Sequence, residues 1–157
     1  LATVMNCIYV SEIFRSQGMM TAVLTPFPCG EFTKGFSKDR ANKYFEKNMV
    51  VYGGTHDNET LAGFFGPGQS RRMLRFARRY LDVSQNVQIP WALIRAGYAS
   101  CADTVVFQLQ DFLGLDNRAR INTPSTLGGN WCWRLVKGQL SDDLAVKIRD
   151  LTELYGR

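Results

Sequence analysis

The sequence predicts an α/β fold built from parallel β/α units, and three observations carry that expectation. Short runs of β-branched and apolar residues recur at Met20–Phe27, Met49–Gly54 and Asp103–Leu109. Segments with helical periodicity separate them. Polar residues able to do chemistry cluster just after the runs, where the C-terminal ends of parallel strands line active sites. A β/α barrel and an open doubly wound sheet both meet these conditions.

The elements follow in order. Leu1, Val4, Met5, Ile8, Val10, Ile13 and Phe14 keep a helical period, and Gly18 is a natural stop. Met20–Phe27 reads as a buried strand ended by Pro26 and Pro28. The basic segment Cys29–Asn48 has the length of a functional loop. Met49–Gly54 is a second buried strand, and Gly53-Gly54 opens a turn that carries the only histidine, His56, beside Asp57. A short helix, Glu59–Phe65, is closed by Gly66-Pro67-Gly68, and a longer one covers Arg71–Leu81. Pro90 sits where a helix begins, and Trp91–Ala102 continues it with Leu93, Ile94, Gly97 and Cys101 on one face. The third strand, Asp103–Leu109, leads into Gln110–Leu115. A loop from Asp116 to Leu135 frames Trp131 and Trp133. Ser141 then caps a final helix with Asp142 and Asp143 in its first turn and Leu144, Ile148, Leu151 and Tyr155 on its buried face.

Composition narrows the function classes. At 45% hydrophobic and without low-complexity tracts, the chain is expected to bury a core. The net charge of +5 allows attraction to anions. Five arginines, Arg71, Arg72, Arg75, Arg78 and Arg79, share one arc of their helix, while Met73, Leu74, Ala77, Tyr80 and Leu81 fill the other. A solvated face is preferred to a nucleic-acid surface, because no stacking aromatics are interleaved with the arginines; nucleic acid is therefore not an expected partner. Cys7, Cys29, Cys101 and Cys132 are scattered without a C-x-x-C pair, which argues against a zinc ribbon or redox motif and for reduced, mostly buried thiols in the cytoplasm. Leu1–Val10 has neither a basic leader nor spanning length, so no membrane partner is expected. The opening at Leu1, inside an uncapped apolar helix, suits a piece of a longer polypeptide.

His56 and Asp57 are the first candidates for chemistry, since perturbed titration is common at such strand ends; a hydrogen-bonded structural pair is the plain alternative. No metal or cofactor is expected: one histidine without a thiolate cluster or an H-E-x-x-H pattern makes a poor metal site. Asp57 and Asp111 stand as possible paired carboxylates of a glycosidase, against a reading in which Asp111 caps a helix or orders a loop. Trp131 and Trp133 alternate, so that one can stack on a sugar or base while the other packs inward, or both can pack. Gly53-Gly54 and Gly128-Gly129-Asn130 read as turns; neither is a phosphate loop, since the residues of one are missing.

Several motifs in order resemble one family. The run Val50-Val51-Tyr52-Gly53-Gly54-Thr55-His56-Asp57-Asn58-Glu59-Thr60, then Gln110-Asp111-Phe112-Leu113-Gly114-Leu115, Ala119-Arg120-Ile121-Asn122-Thr123-Pro124 and Gly129-Asn130-Trp131-Cys132-Trp133-Arg134, closely resembles the amylomaltases, the 4-α-glucanotransferases of glycoside hydrolase family 77. The resemblance runs from about Gly18 to the end. It implies that residues 1–157 are the C-terminal portion, strands about six to eight, of a single (β/α)8 TIM barrel whose N-terminal part is missing. It implies α-1,4-glucans and maltooligosaccharides as substrates and transfer through a covalent glycosyl-enzyme with retention. Asp57 would be the third catalytic carboxylate, stabilising an oxocarbenium-like transition state. His56, Asn58 and Asn122 would contact the sugar, and Gln110 and Asp111 would shape the pocket floor. The family's nucleophilic Asp and acid/base Glu precede everything in this chain, so the fragment is expected to be inactive alone; a glucan-binding or barrel-completing piece is the alternative. Glu59, Gln108 and Ser125 depart from the family's more frequent residues, and Ser125 replaces a Gly.

Overall fold

The computed structural model describes residues 21–24, 49–100 and 102–157. The expected helix over 1–17, the connection Cys29–Asn48, and Cys7, Cys29 and Cys101 lie outside the described residues. The described elements are β1 (Thr21–Leu24), β2 (Met49–Tyr52), α1 (Leu61–Phe64), α2 (Arg71–Leu81), α3 (Ile89–Tyr98), β3 (Thr104–Val106), α4 (Leu109–Phe112) and α5 (Asp142–Leu154), with 3₁₀ turns at Asn86–Gln88 and Asn117–Ala119.

The three strands form one sheet in the order β1-β2-β3, and both pairings are parallel. Register aligns Val23 with Val51 and Val51 with Val105. Parallel pairing sends all the strands' C-terminal ends to one edge, so the segments after β2 and β3 meet there. That outcome bears out the expected parallel β/α arrangement over the described strands.

Local chemistry sets the helix boundaries. The Ser70 hydroxyl accepts from Met73 N at 3.2 Å to start α2, and Asp82, with φ +53°, ends it. Pro90 occupies the first turn of α3. The Ser141 hydroxyl accepts from Leu144 N at 3.2 Å, and Asp142 and Asp143 stand at the positive end of the α5 dipole.

Leu61, Phe65, Leu74, Ala77, Ile89, Leu93, Ile94 and Leu151 make one buried cluster that joins α1, α2, α3 and α5. Val51 and Ala102 form a second beneath the sheet, with Val105 against them. The Arg95 Nε donates to the Tyr155 hydroxyl at 2.8 Å, tying α3 to α5. The Arg157 guanidinium donates to the carbonyls of Tyr98, Ser100 and Ala102 at 2.6–2.8 Å, bracing the connection between α3 and β3.

Several expectations need correction. β3 stops at Val106, three residues short of Leu109, because Phe107 leaves the ladder to pack inward and Gln108 becomes the N-cap of α4. A Cβ at Gly53 would lie 2.9 Å from the Phe107 ring, and one at Gly97 would lie 2.7 Å from it, so the ring fills the space both glycines vacate. Tyr98 stacks on that ring at 6.5 Å and Phe112 meets it edge-on at 6.2 Å. The third helix starts at Ile89, beside the expected Pro90, but ends at Tyr98 and not at Ala102. Tyr80, assigned to the apolar arc of α2, is 62% exposed, beside Phe76 at the rim. Cys132, expected to be buried, is a free, exposed thiol. Among the described residues no helix is long and apolar enough to cross a membrane, and no cluster of three or more His, Cys, Asp or Glu is arranged to hold a metal ion.

Candidate active site

The turn after β2 carries the site. Gly53 admits the Phe107 ring against its backbone, and the chain then reverses over Thr55–Asn58. Asn58 closes this turn: its N–H donates to the Thr55 carbonyl at 3.0 Å, and its side-chain oxygen accepts from Thr55 N at 2.8 Å and Thr55 Oγ1 at 2.9 Å. The Gln108 amide, from the end of β3, donates to the same Thr55 carbonyl at 3.1 Å. His56 and Asp57 stand at the tip with about half of each side chain exposed, the imidazole Nε2 3.3 Å from Asp57 Oδ1.

A second segment, after α4, clamps this tip. Asn122 N donates to the His56 carbonyl at 3.1 Å, and Asn122 Nδ2 donates to Asp57 Oδ1 at 2.6 Å. The Arg120 guanidinium forks between two carbonyls, Nε to Asn122 at 2.8 Å and Nη2 to Asp57 at 2.6 Å. Both contacts on the Asp57 carboxylate fall on Oδ1, and among the described residues Oδ2 is unbonded. The arrangement is a carboxylate held by one oxygen and presenting the other. Trp131, at the end of the same segment, sets its ring 4.9 Å from the His56 ring at a 40° tilt.

Gln110 and Asp111, in α4, are buried, each 2% exposed. Gln110 Nε2 donates to the Ala119 carbonyl at 3.3 Å, at the root of the Arg120–Asn122 segment. Asp111 Oδ1 accepts from Leu61 N at 2.7 Å, meeting the open N-terminus of α1 from across the fold. Burial pushes the Asp111 carboxyl up to about 6, against the opposing pull of the Leu61 and Gln108 N–H groups.

The structure thus brings His56, Asp57, Asn58 and Asn122 together at one edge of the sheet, with the Asn58 side chain turned back on Thr55. Gln110 and Asp111 are buried and bonded to protein groups at Ala119 and Leu61 rather than to the His56–Asp57 turn. Sequence reasoning assigned no role to Arg120. Its signal was present, an arginine between Ala119 and Ile121, both of which turn inward at least in part. Two open concavities, of about 560 and 470 Å³, lie near α1, and neither is lined by His56 or Asp57. With about half of each side chain exposed, the His56–Asp57 pair is open to solvent.

Residues 8–139 match the family model described as 4-alpha-glucanotransferase. The chain is 42% identical to the 4-alpha-glucanotransferase of Clostridium butyricum over 126 residues, covering 78% of this chain and 26% of that protein. It is also 42% identical to the 4-alpha-glucanotransferase of Synechocystis over 127 residues, covering 78% and 25%. It is 41% identical to the chloroplastic/amyloplastic 4-alpha-glucanotransferase of Arabidopsis thaliana over 115 residues, covering 71% and 20%. A solved structure, the amylomaltase from Streptococcus agalactiae in complex with acarbose, superimposes with a TM-score of 0.81 at 29% identity, over 95% of this chain and 30% of that one. The chain spans about a quarter of the length of the curated relatives it matches. It belongs to the 4-alpha-glucanotransferase family, glycoside hydrolase family 77.

Proposed function

We propose that this chain contributes the sugar subsite next to the cleaved bond in an enzyme that transfers α-1,4-glucan segments between maltooligosaccharides. The observation that carries the reading is the Asp57 carboxylate, fixed through Oδ1 by Asn122 and open at Oδ2, on an exposed turn at the C-terminal end of a parallel strand. In this reading the three strands are the sixth to eighth of a (β/α)8 barrel, whose active site forms at that end.

The chemistry follows from the residue types. As the glycosidic bond breaks, positive charge develops on the sugar ring, and a fixed carboxylate nearby stabilises the transition state more than the ground state. Asp57 does this while Oδ2 accepts from a sugar hydroxyl. His56 holds a hydroxyl of the same ring. Asn122 and Asn58 act chiefly on the protein side, Asn122 orienting Asp57 and Asn58 shaping the turn; Gln110 and Asp111 support the floor. Retention requires a nucleophile and an acid/base carboxylate, and the reading assigns both to parts of the enzyme not represented in these 157 residues. The free Cys132 thiol fits a reducing compartment, and we place the activity in the cytoplasm.

The test is a calorimetric titration of the chain with maltotriose beside an assay for released glucose. Binding without glucose release, weakened about tenfold or more in Asp57→Ala, is expected. Turnover by these residues alone, or affinity indifferent to Asp57→Ala, would refute the assignment.

A further inference from the structure

Trp131 occupies a backbone conformation that bulky L side chains avoid, with φ at +62°. Gly128 and Gly129, just before it, also have positive φ, where glycine is at home. The tryptophan is held in place by its surroundings. Its N–H donates to the Ile121 carbonyl at 2.7 Å, and its own carbonyl accepts from Arg134 Nη1 at 2.9 Å. Asn130 cross-braces the loop, accepting from Thr123 N at 2.8 Å and donating to Thr126 Oγ1 at 3.1 Å.

Core packing does not account for this arrangement, because Trp131 is 57% exposed. What the strained residue delivers is an indole against His56, with ring centroids 4.9 Å apart. The imidazole Nε2 also lies 3.3 Å from Asp57 Oδ1. A half-exposed imidazole has several rotamers, and contact with both an indole and a carboxylate limits them. Strain retained at an exposed position next to a candidate site is a mark of function.

We propose that Trp131 is a positioning residue for His56, its left-handed backbone placing the indole so that the imidazole is oriented before sugar binds. The proposal rests on the reading of His56 as a sugar ligand. Orientation fixed in advance removes part of the ordering cost of binding, so loss of the indole weakens affinity without removing any direct sugar contact of His56 or Asp57.

The single histidine of the chain makes the test direct. The imidazole Cε1–H resonance of His56 is recorded by NMR in the wild-type chain, Trp131→Gly and Trp131→Phe, and each is titrated with maltotriose. The indole's ring current should displace the wild-type resonance; Trp131→Gly should return it to the position of an unstacked histidine, and Trp131→Phe should retain part of the displacement. Trp131→Gly should bind maltotriose about three- to tenfold more weakly, with Trp131→Phe near wild type. Its thermal midpoint should not fall, because glycine accepts the left-handed backbone. A resonance indifferent to Trp131→Gly overturns the proposal. So does a loss of affinity that accompanies a lowered midpoint and is not rescued by phenylalanine, the pattern of a merely structural residue. Failure of the wild-type chain to bind maltotriose strikes the sugar-subsite reading instead, and the resonance then decides the positioning claim alone.

Discussion

Replacing Asp111 with asparagine should make the protein more stable at neutral pH, and by an amount that depends on pH. The carboxyl is 2% exposed and burial raises it from 3.8 to about 6, so the fold prefers its protonated form. Between about pH 4 and pH 6 the folded state binds more protons than the unfolded chain, so stability falls as pH rises through that window. The shift of about two units corresponds to roughly 3 kcal/mol, present in full below about pH 4 and lost above about pH 6. The asparagine side chain resembles the protonated acid, since its amide oxygen can still accept from Leu61 N while carrying no charge. Urea unfolding of both proteins at several pH values from about 4 to 7.5 cancels the titration of every other group in the difference. The variant should match the wild type near pH 4 and exceed it by up to about 3 kcal/mol near pH 7.5. A difference that is flat across pH, or a wild type that gains on the variant as pH rises, would show that the ionised carboxylate is welcome at the start of α1 and would refute the burial argument.

Other substitutions probe the packing and the clamp. Gly97→Ala should destabilise by about 1–3 kcal/mol in thermal unfolding despite alanine's better helix propensity, because its Cβ would meet the Phe107 ring at 2.7 Å; adding Phe107→Leu should recover part of the loss. Arg120→Ala should lower maltotriose affinity in calorimetry and cost about 1.5–3 kcal/mol of stability, and Arg120→Lys should not rescue either, since one ammonium cannot fork to the carbonyls of Asn122 and Asp57 as the guanidinium does. Ser125→Gly should raise stability by about 0.5–1 kcal/mol in denaturant unfolding, because Ser125 holds φ at +64°.

What was legible in the sequence was local. The Met49 run, the hydroxyl cap at Ser141, and Pro90 at the head of α3 each act within a few residues, so pattern and propensity suffice to find them. The end of β3 was not legible, because its cause is the Phe107 ring filling space left by Gly53, on the neighbouring strand's end, and by Gly97, on the preceding helix. Asp111 allowed two readings from its type alone. Its partner, Leu61 N, lies 50 residues away, and only the fold brings the two together. Tyr80 was misplaced for a related reason: a helical arc shows which residues share a side, not whether another element covers that side; Cys132 was misplaced because residue type alone says how often a thiol is buried, not whether anything packs over this one.

The site inherits its geometry from the same kind of long-range contact. Gln108, Arg120 and Asn122 reach back 53 to 66 residues to the turn that carries His56 and Asp57. Their bonds fall on the carbonyls of Thr55, His56 and Asp57 and on Asp57 Oδ1. Among the described residues none falls on Asp57 Oδ2 or on His56 Nδ1. The fold thus fixes the backbone of the turn and leaves Asp57 Oδ2 and His56 Nδ1 open, the arrangement that the proposed sugar subsite calls for. All three anchors follow β3 in the chain, and β3 is held beside β2 by the pairing of Val51 with Val105. The fixed geometry of the His56–Asp57 turn therefore depends on β3 lying beside β2, and a substitution that loosens that pairing should disorder the site before it unfolds the helical core, seen as a change in the His56 resonance below the thermal midpoint.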